Sequence, residues 1–303
     1  LDNPNPTEIN EKIRPFYWRT NKKDLNVPPA EDDNIFEITP SKEQEQLATI
    51  IHEIETNVLA RYIRLLQAST NPALLTEKID LNNLGFLFDE IDFSVEGALD
   101  SKEIAEAKQK TYFDLNVDSI KTPKFEKGMQ LIRQLVSEGK KVLVWGMFVG
   151  TMRKIHQELN NAGIFSHLIY GATPKDDRVD LINEFRDGDV QVLISNPATL
   201  GESISLHQSV HDAVYFEYNF NLTFMLQSRD RIHRLGLSAD QYTRYYYLMS
   251  EGTSAHKSFI DKQVYDRLKE KEKVMLNAID GQFLLPEISD DYLDDVKKIL
   301  FRE

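Results

Sequence analysis

From Lys124 to Met249 the chain alternates between two hydrophobic periods, and that alternation narrows the folds open to it. Lys141–Trp145, Ser166–Tyr170, Val190–Ser195, Asp212–Glu217 and Tyr242–Met249 are short apolar runs rich in β-branched and aromatic residues. Between them, Phe125–Glu138, Thr151–Asn161, the segment from Thr173-Pro174 to Arg186, and Leu222–Leu235 carry apolar residues at helical spacing. Gly139 and Gly163 follow two of these segments, where a helix stop is expected. Strands separated by helices imply βαβ units, hence a parallel sheet covered by helices on both faces. In such sheets the chemistry collects at the carboxyl ends of the strands.

The region before Lys124 differs. Residues 1–38 read as irregular chain with short extended pieces, and Ile13–Asp24 mixes cations with Phe16, Tyr17 and Trp18. Such a mixture serves either an interdomain connector or a phosphate backbone with stacking. Thr39-Pro40 is a helix-start signal, and helical periodicity then runs from Ser41 to about Gln67, stopped at Asn71-Pro72. Residues 73–123 read as short helices and loops, and Ser254–Ile279 as a long final helix that braces both domains. The expected division is 1–38 connector, 39–123 helical protrusion, 124–252 sheet domain, and 253–303 brace helix with an acidic tail.

Composition excludes several classes. The 303 residues contain no cysteine, which removes disulfides, thiolate catalysis and cysteine-ligated zinc. No apolar run approaches the roughly 18 residues that span a bilayer, so no membrane partner is expected. The first residues resemble no signal peptide, and a cytoplasmic setting (nucleoid-associated if bacterial) is the expectation. The chain starts at Leu1 without methionine, as an excised fragment would. A net charge of -13 argues against whole-surface attraction to nucleic acid but leaves a local basic groove open among 36 lysines and arginines.

The stretch with most chemical content is Gln227–Gly236. Arg231 and Arg234 stand three apart, on one face of a predicted helix, while Arg229 points elsewhere. Two guanidinium forks aimed at one point suit the charge that develops in phosphoryl transfer. The alternative is a solvated basic helix end. Asp89-Glu90-Ile91-Asp92 resembles a magnesium-holding acidic box, but no Gly-Lys-Ser/Thr phosphate loop accompanies it, and that reading is rejected. His207 and His211 lack a third ligand and read as a polar pair, so no metal site is expected in this chain. The tyrosines at 242 and 245–247 read as sheet residues with one face on the core and one at the lobe boundary.

These motifs occur in an order that resembles the second RecA-like lobe of a superfamily 2 helicase, specifically of the Swi/Snf type. Lys141–Phe148 is similar to the motif-four strand and turn, and Tyr170–Pro174 with Arg178 and Phe185 to the glycine turn and its helix. Val192–Leu206 resembles motif five. Gln227, Asp230, Arg231, His233, Arg234 and Gly236 match motif six. Arg14–Asp24 with Pro28-Pro29 looks like that family's connector, and Arg64–Leu66 with Asn71–Leu75 like its helical protrusion. Ser203 stands where motif five usually has glycine, Asn196-Pro197-Ala198 replaces Thr-Lys-Ala, and Leu237 replaces a common glutamine.

The resemblance implies a RecA-like fold and half of an ATP-dependent DNA translocase. Arg231 and Arg234 would act as arginine fingers, with Gln227, Gly201 and Glu202 at the nucleotide. ATP and magnesium would be bound mainly by a first RecA-like lobe outside this chain. Phe148, Gly171, Thr173, Asn196 and Thr199 would face double-stranded DNA, aided by backbone amides after Gly150 and Gly171. The acidic tail, with Asp290, Asp291, Asp294 and Asp295, would suit a protein partner. Two other readings stay open: a non-catalytic RecA-like scaffold, and a strand-separating helicase of another branch. The fragment alone is expected to be inactive.

Overall fold

The computed structural model describes residues 12, 22, 24–79, 102–200, 204–252, 258–280 and 292–301. Much of the Ile13–Asp24 stretch, the acidic run Asp89–Asp92, Gly201, Glu202, Ser203, Asp290 and Asp291 lie outside these residues.

Six strands form one sheet: β1 (Asn34–Ile38), β2 (Val142–Trp145), β3 (Ser166–Ile169), β4 (Val192–Ser195), β5 (Asp212–Tyr215) and β6 (Arg244–Ser250). Their order is β1-β6-β5-β2-β4-β3, and every pairing is parallel. The central strands are buried on both faces, as their unbroken apolar runs require. β1 falls inside the stretch expected to be a connector. Its alternating burial marks it as an edge strand, in register with β6 from Asn34 opposite Tyr246 to Ile38 opposite Ser250.

Helices cover both faces, the parallel architecture expected from the alternation and the RecA-like fold implied by the resemblance. On one face α4 (Pro123–Ser137) and α5 (Val149–Asn161) pack Phe125, Ile132, Met152 and Ile155 against Val144, Ile194, Val214 and Leu248. On the other, α6 (Lys175–Asp187), α7 (Leu222–Arg229) and α8 (Asp261–Asp280) cover Leu143, Trp145, Tyr215, Tyr245 and Tyr247. Tyr245 and Tyr247 thus face one core and Tyr246 the other, and all three are buried. The predicted tyrosine face at a lobe boundary is instead interior.

The helical region before the sheet continues the second core. α1 (Lys42–Ile54) and α2 (Val58–Thr70) are separate helices, with α3 (Lys102–Asp114) nearby. Two sequence expectations fail here. Ser41, not Thr39, caps α1: its hydroxyl accepts from the Gln44 N–H at 3.2 Å in a capping box. And the single helix expected from Ser41 to Gln67 is broken at Glu55–Asn57. The break is imposed by Glu55, whose buried carboxylate accepts from Tyr112 Oη and Lys108 Nζ, both at 2.8 Å, while Asn57 caps α2 through the Ala60 N–H.

The brace is real. Asp261, the first residue of α8, accepts from Lys124 Nζ at 2.9 Å and from the Ser250 N–H at 2.9 Å, while Ser69 donates to it at 3.3 Å. α9 (Tyr292–Phe301) then docks on α2 and α8, and its Asp295 turns inward to Arg267. Part of the acidic tail is therefore committed to the core.

Candidate functional site

The helix expected over Leu222–Leu235 ends early, and this changes how the arginines are displayed. α7 stops at Arg229 with Asp230 as its C-cap, and Arg231 and Arg234 sit on the turn that follows. The Arg229 carbonyl accepts both the His233 N–H at 3.1 Å and Tyr245 Oη at 2.9 Å, and Lys22 Nζ donates to the His233 carbonyl at 2.7 Å, so side chains of β6 and of the chain before β1 hold the turn where the helix ends.

Ile232, completely buried, anchors the turn, and the Leu206 N–H donates to the Arg231 carbonyl at 3.0 Å. Gly236 closes it at φ +104, a conformation that disfavours side chains; a Cβ there would lie 2.8 Å from His207 Nε2. His207 hydrogen-bonds Ser205 at 2.6 Å, and burial together with the nearby Arg234 charge holds its pKa below the ordinary value. Among the described residues, no group of three histidines or carboxylates is placed to hold a metal.

Arg231 and Arg234 face one cavity of about 310 Å³, lined also by Lys22, Leu25, Val27, Asp230 and Leu235. Arg231 is buried, with Nη1 at 3.4 Å from the Ile204 carbonyl. Burial lowers its pKa and the Arg234 charge lowers it further, while Asp230 opposes both. Two guanidiniums held this way fit an anion such as phosphate, which would offset the repulsion between them. Arg229 has a different task. It pairs with Asp33 at 3.1 Å and stacks over the Tyr245 ring at 4.2 Å, holding the chain before β1 against α7. Tyr265 of α8 donates to the same Asp33 at 2.7 Å. Gln227 is half-buried on α7.

The other candidates lie past the carboxyl ends of three adjacent strands: Phe148 after β2, Gly171 and Thr173 after β3, Asn196 and Thr199 after β4. Their exposure differs. Phe148 is buried, and its N–H, like that of Met147, donates to Glu217 Oε2 at 3.0 Å. Asn196 is buried, with its Oδ1 accepting from the Thr199 N–H at 2.8 Å. Gly171 is exposed in a turn that Arg178 shapes by donating to the Gly171 and Thr173 carbonyls at 3.0 and 2.8 Å. Gly150 is packed by the helical region before the sheet: a Cβ there would lie 2.4 Å from Leu74 Cδ2. Its missing side chain thus serves packing between the helical region and α5.

Sequence reasoning missed four groups: Lys22, Asp33, the Lys124–Asp261 pair and Glu217. Glu217 had a legible signal, a carboxylate directly after the β5 run and hence at the sheet's chemical edge. Its burial raises its pKa to about 7, against the pull of the Phe148 and Met147 amides and of Lys124. Glu217 and Asn219 line a small enclosed space with Met147, Tyr215 and Met225.

Comparison with known proteins follows the same outline. Residues 123–236 match the helicase conserved C-terminal domain. The chain is 26% identical over 161 residues to Chromatin-remodeling ATPase INO80 of Saccharomyces cerevisiae, covering 52% of this chain and 10% of that protein. It is 24% identical over 276 residues to Protein CHROMATIN REMODELING 24 of Arabidopsis thaliana, covering 85% of this chain and 25% of that one. Among solved structures it overlays the C-terminal part of the Fun30 ATPase domain with a TM-score of 0.59 at 17% identity, covering 91% of this chain and 99% of the other. The matches thus span a tenth to a quarter of these curated relatives' length. The chain resembles the C-terminal half of a Swi/Snf-type superfamily 2 helicase-like ATPase.

Proposed function

We propose that this chain, with its likeness to the C-terminal half of Swi/Snf-type ATPases, is half of an ATP-dependent DNA translocase. The observation that carries the reading is the pair Arg231 and Arg234 on one cavity, with Arg231 buried and its charge set beside that of Arg234. An incoming phosphate relieves that repulsion, and the attraction grows as negative charge develops on the phosphoryl oxygens. Arginines used this way contribute about three to five orders of magnitude in rate. Several relatives are named as chromatin-remodelling ATPases, which supports ATP as the substrate.

In this reading ATP and magnesium bind mainly to a first RecA-like lobe outside the chain. Magnesium held by that first lobe would supply charge compensation for the phosphates, and no residue of this chain is assigned to hold it. The turn carrying Arg231 and Arg234 meets the phosphates from the opposite side. Gln227 positions the nucleotide or couples the lobes, and Gly201 and Glu202 stand beside the ribose and phosphates. Double-stranded DNA crosses the carboxyl edge of β2, β4 and β3. Gly171, Thr173 and Thr199 are open or half-open there, while Phe148 and Asn196 shape the turns from beneath. Contacts through turn amides and hydroxyls read the backbone and need little positive charge.

The proposed division keeps 1–38 as connector, 39–123 as protrusion, 124–252 as the RecA-like lobe and 253–303 as brace and tail, with β1 contributed to the sheet from the connector. Among the described residues no helix is long and apolar enough to cross a membrane. The relatives' names lend no support to a cytoplasmic or nucleoid-associated setting.

The test uses the protein carrying both lobes. Arg231→Ala and Arg234→Ala should each abolish DNA-stimulated ATP turnover while leaving the melting temperature unchanged. Near-native turnover in both variants sinks the arginine assignment. The chain alone should hydrolyse no ATP; DNA-stimulated hydrolysis by the purified chain that is lost in Arg231→Ala would overturn that part. A gel shift with duplex DNA should show binding that weakens from low to moderate salt.

A further inference from the structure

The chain before β1 grips the arginine-bearing turn at three residues beside Arg231 and Arg234: Arg229, Asp230 and His233. Lys22 Nζ donates to Asp230 Oδ1 at 2.5 Å and to the His233 carbonyl at 2.7 Å, and lies 3.3 Å from His233 Nδ1. His233 Nε2 lies 2.8 Å from the Pro28 carbonyl. Arg229 is held by Asp33. Residues 229, 230 and 233 are thus tied to positions 33, 22 and 22 with 28, while Arg231 and Arg234 turn to the cavity. Lys22, Leu25 and Val27 form part of that cavity's wall.

The hydrogen-bond chemistry fixes the state of the ring between them. An ammonium only donates, so His233 Nδ1 accepts. Nε2 therefore carries the hydrogen and donates to the Pro28 carbonyl, which only accepts. Burial and the Lys22 charge both favour this neutral form; the Pro28 bond works against burial.

These contacts set position more than they add stability. Lys22 and Asp230 are both about half-exposed, and ion pairs of that kind contribute little to folding. But α7 has ended at Arg229, the turn holds itself by short-range bonds such as His233 N–H to the Arg229 carbonyl at 3.1 Å, and Lys22 supplies the partner of the His233 carbonyl.

We propose that Lys22 is a positioning residue for the arginine pair: through Asp230 and the His233 carbonyl it makes the connector and the Arg231–Arg234 turn move as one unit. A shift of the connector is then passed directly to the two guanidiniums. The proposal rests on the reading of Arg231 and Arg234 as phosphate-binding groups.

Three readouts test it. In this chain, Lys22→Ala should speed hydrogen–deuterium exchange of the 230–236 amides by on the order of tenfold, the loss of one or two hydrogen bonds, with the melting temperature unchanged. Lys262→Ala, which removes an exposed pair with Glu37, serves as control and should leave that exchange native. Imidazole nitrogen spectra should show His233 as the Nε2–H tautomer in both proteins, since the Pro28 carbonyl still accepts from it, with a raised pKa in Lys22→Ala. In the protein carrying both lobes, Lys22→Ala should lower kcat for ATP by about tenfold with a smaller change in KM, the pattern of mispositioned transition-state groups. Native exchange and an unshifted His233 pKa in Lys22→Ala overturn the tether. A loosened turn with native kcat overturns the positioning role. Native turnover in Arg231→Ala and Arg234→Ala would remove the phosphate reading yet leave the exchange and His233 pKa results standing, so the two failures are distinguishable.

Discussion

Lys124 Nζ lies 2.9 Å from Asp261 Oδ1, and both side chains are almost wholly buried. The ammonium also donates to Ser69 Oγ at 3.1 Å, and Asp261 Oδ2 accepts from the Ser250 N–H at 2.9 Å. The end of α2, the start of α4, the end of β6 and the start of α8 therefore meet in one polar knot. Asp261→Ala strands a buried ammonium and an amide donor together. We expect it to lower the unfolding free energy by about 3–5 kcal/mol, read from the urea midpoint. A loss below about 1 kcal/mol would contradict this role for the pair.

Gly128 sits inside α4 with the sheet pressed against it. A Cβ there would lie 2.2 Å from Phe216 Cζ and 2.6 Å from Leu248 Cδ1. Two effects oppose each other in Gly128→Ala. Helix propensity favours alanine by about 1 kcal/mol, while overpacking a filled core costs about 1–3 kcal/mol. The contact is with an aromatic ring already buried between strands, so the clash should win. The variant is expected to be less stable than the native chain by thermal melting; equal or greater stability would show that α4 can lift from the sheet at no cost.

Glu217 predicts a pH signature. Its folded pKa is raised to about 7, so between its unfolded value and pH 7 the folded state binds more protons than the unfolded state. Stability then falls as pH rises through that window, by about 3 kcal/mol in total, and levels off above pH 7. His156, His207, His211 and His233 have lowered values and work in the opposite direction, so the difference between variants is the informative quantity. Glu217→Gln keeps an acceptor for the Met147 and Phe148 amides and titrates nowhere. Urea midpoints from pH 5 to 8 should show the Gln variant gaining on the native chain as pH rises. Parallel curves would mean that Glu217 is ionised throughout.

Asp33 joins three elements by accepting from Arg229, from Tyr265 Oη and, at 3.5 Å, from Lys269. Asp33→Ala leaves the Arg229 guanidinium over Tyr245 without its counter-charge. The expected loss is about 3 kcal/mol, with faster amide exchange in β1 and the end of α7. Asp33→Asn, which keeps an acceptor, should lose less. Equal losses in the two variants would show that charge is not what Asp33 supplies.

The parallel sheet was legible because each central strand is an apolar run too short for a helix and each covering helix has its own period. Those are local properties, and they survive without knowledge of neighbours. Element ends were less legible. The break between α1 and α2 depends on Glu55 finding Tyr112 and Lys108, far along the chain. The turn after α7 is held by Tyr245 and Lys22, which bond the Arg229 and His233 carbonyls. Periodicity alone extends both helices because it cannot see a distant partner.

The arginine pair divides the same way. Its residues, its order after the other motifs and its final glycine were all present in the sequence, since spacing and backbone conformation are written locally. What tertiary structure decided is the display: a turn instead of a helix, Arg229 turned away to Asp33, and Arg231 and Arg234 facing a cavity walled by the chain that precedes β1. The reason is that a hydrogen bond or a like-charge repulsion takes effect at a few ångströms in space, whatever the separation along the chain. Lys22 and Asp230 are 208 residues apart in sequence and 2.5 Å apart in the fold.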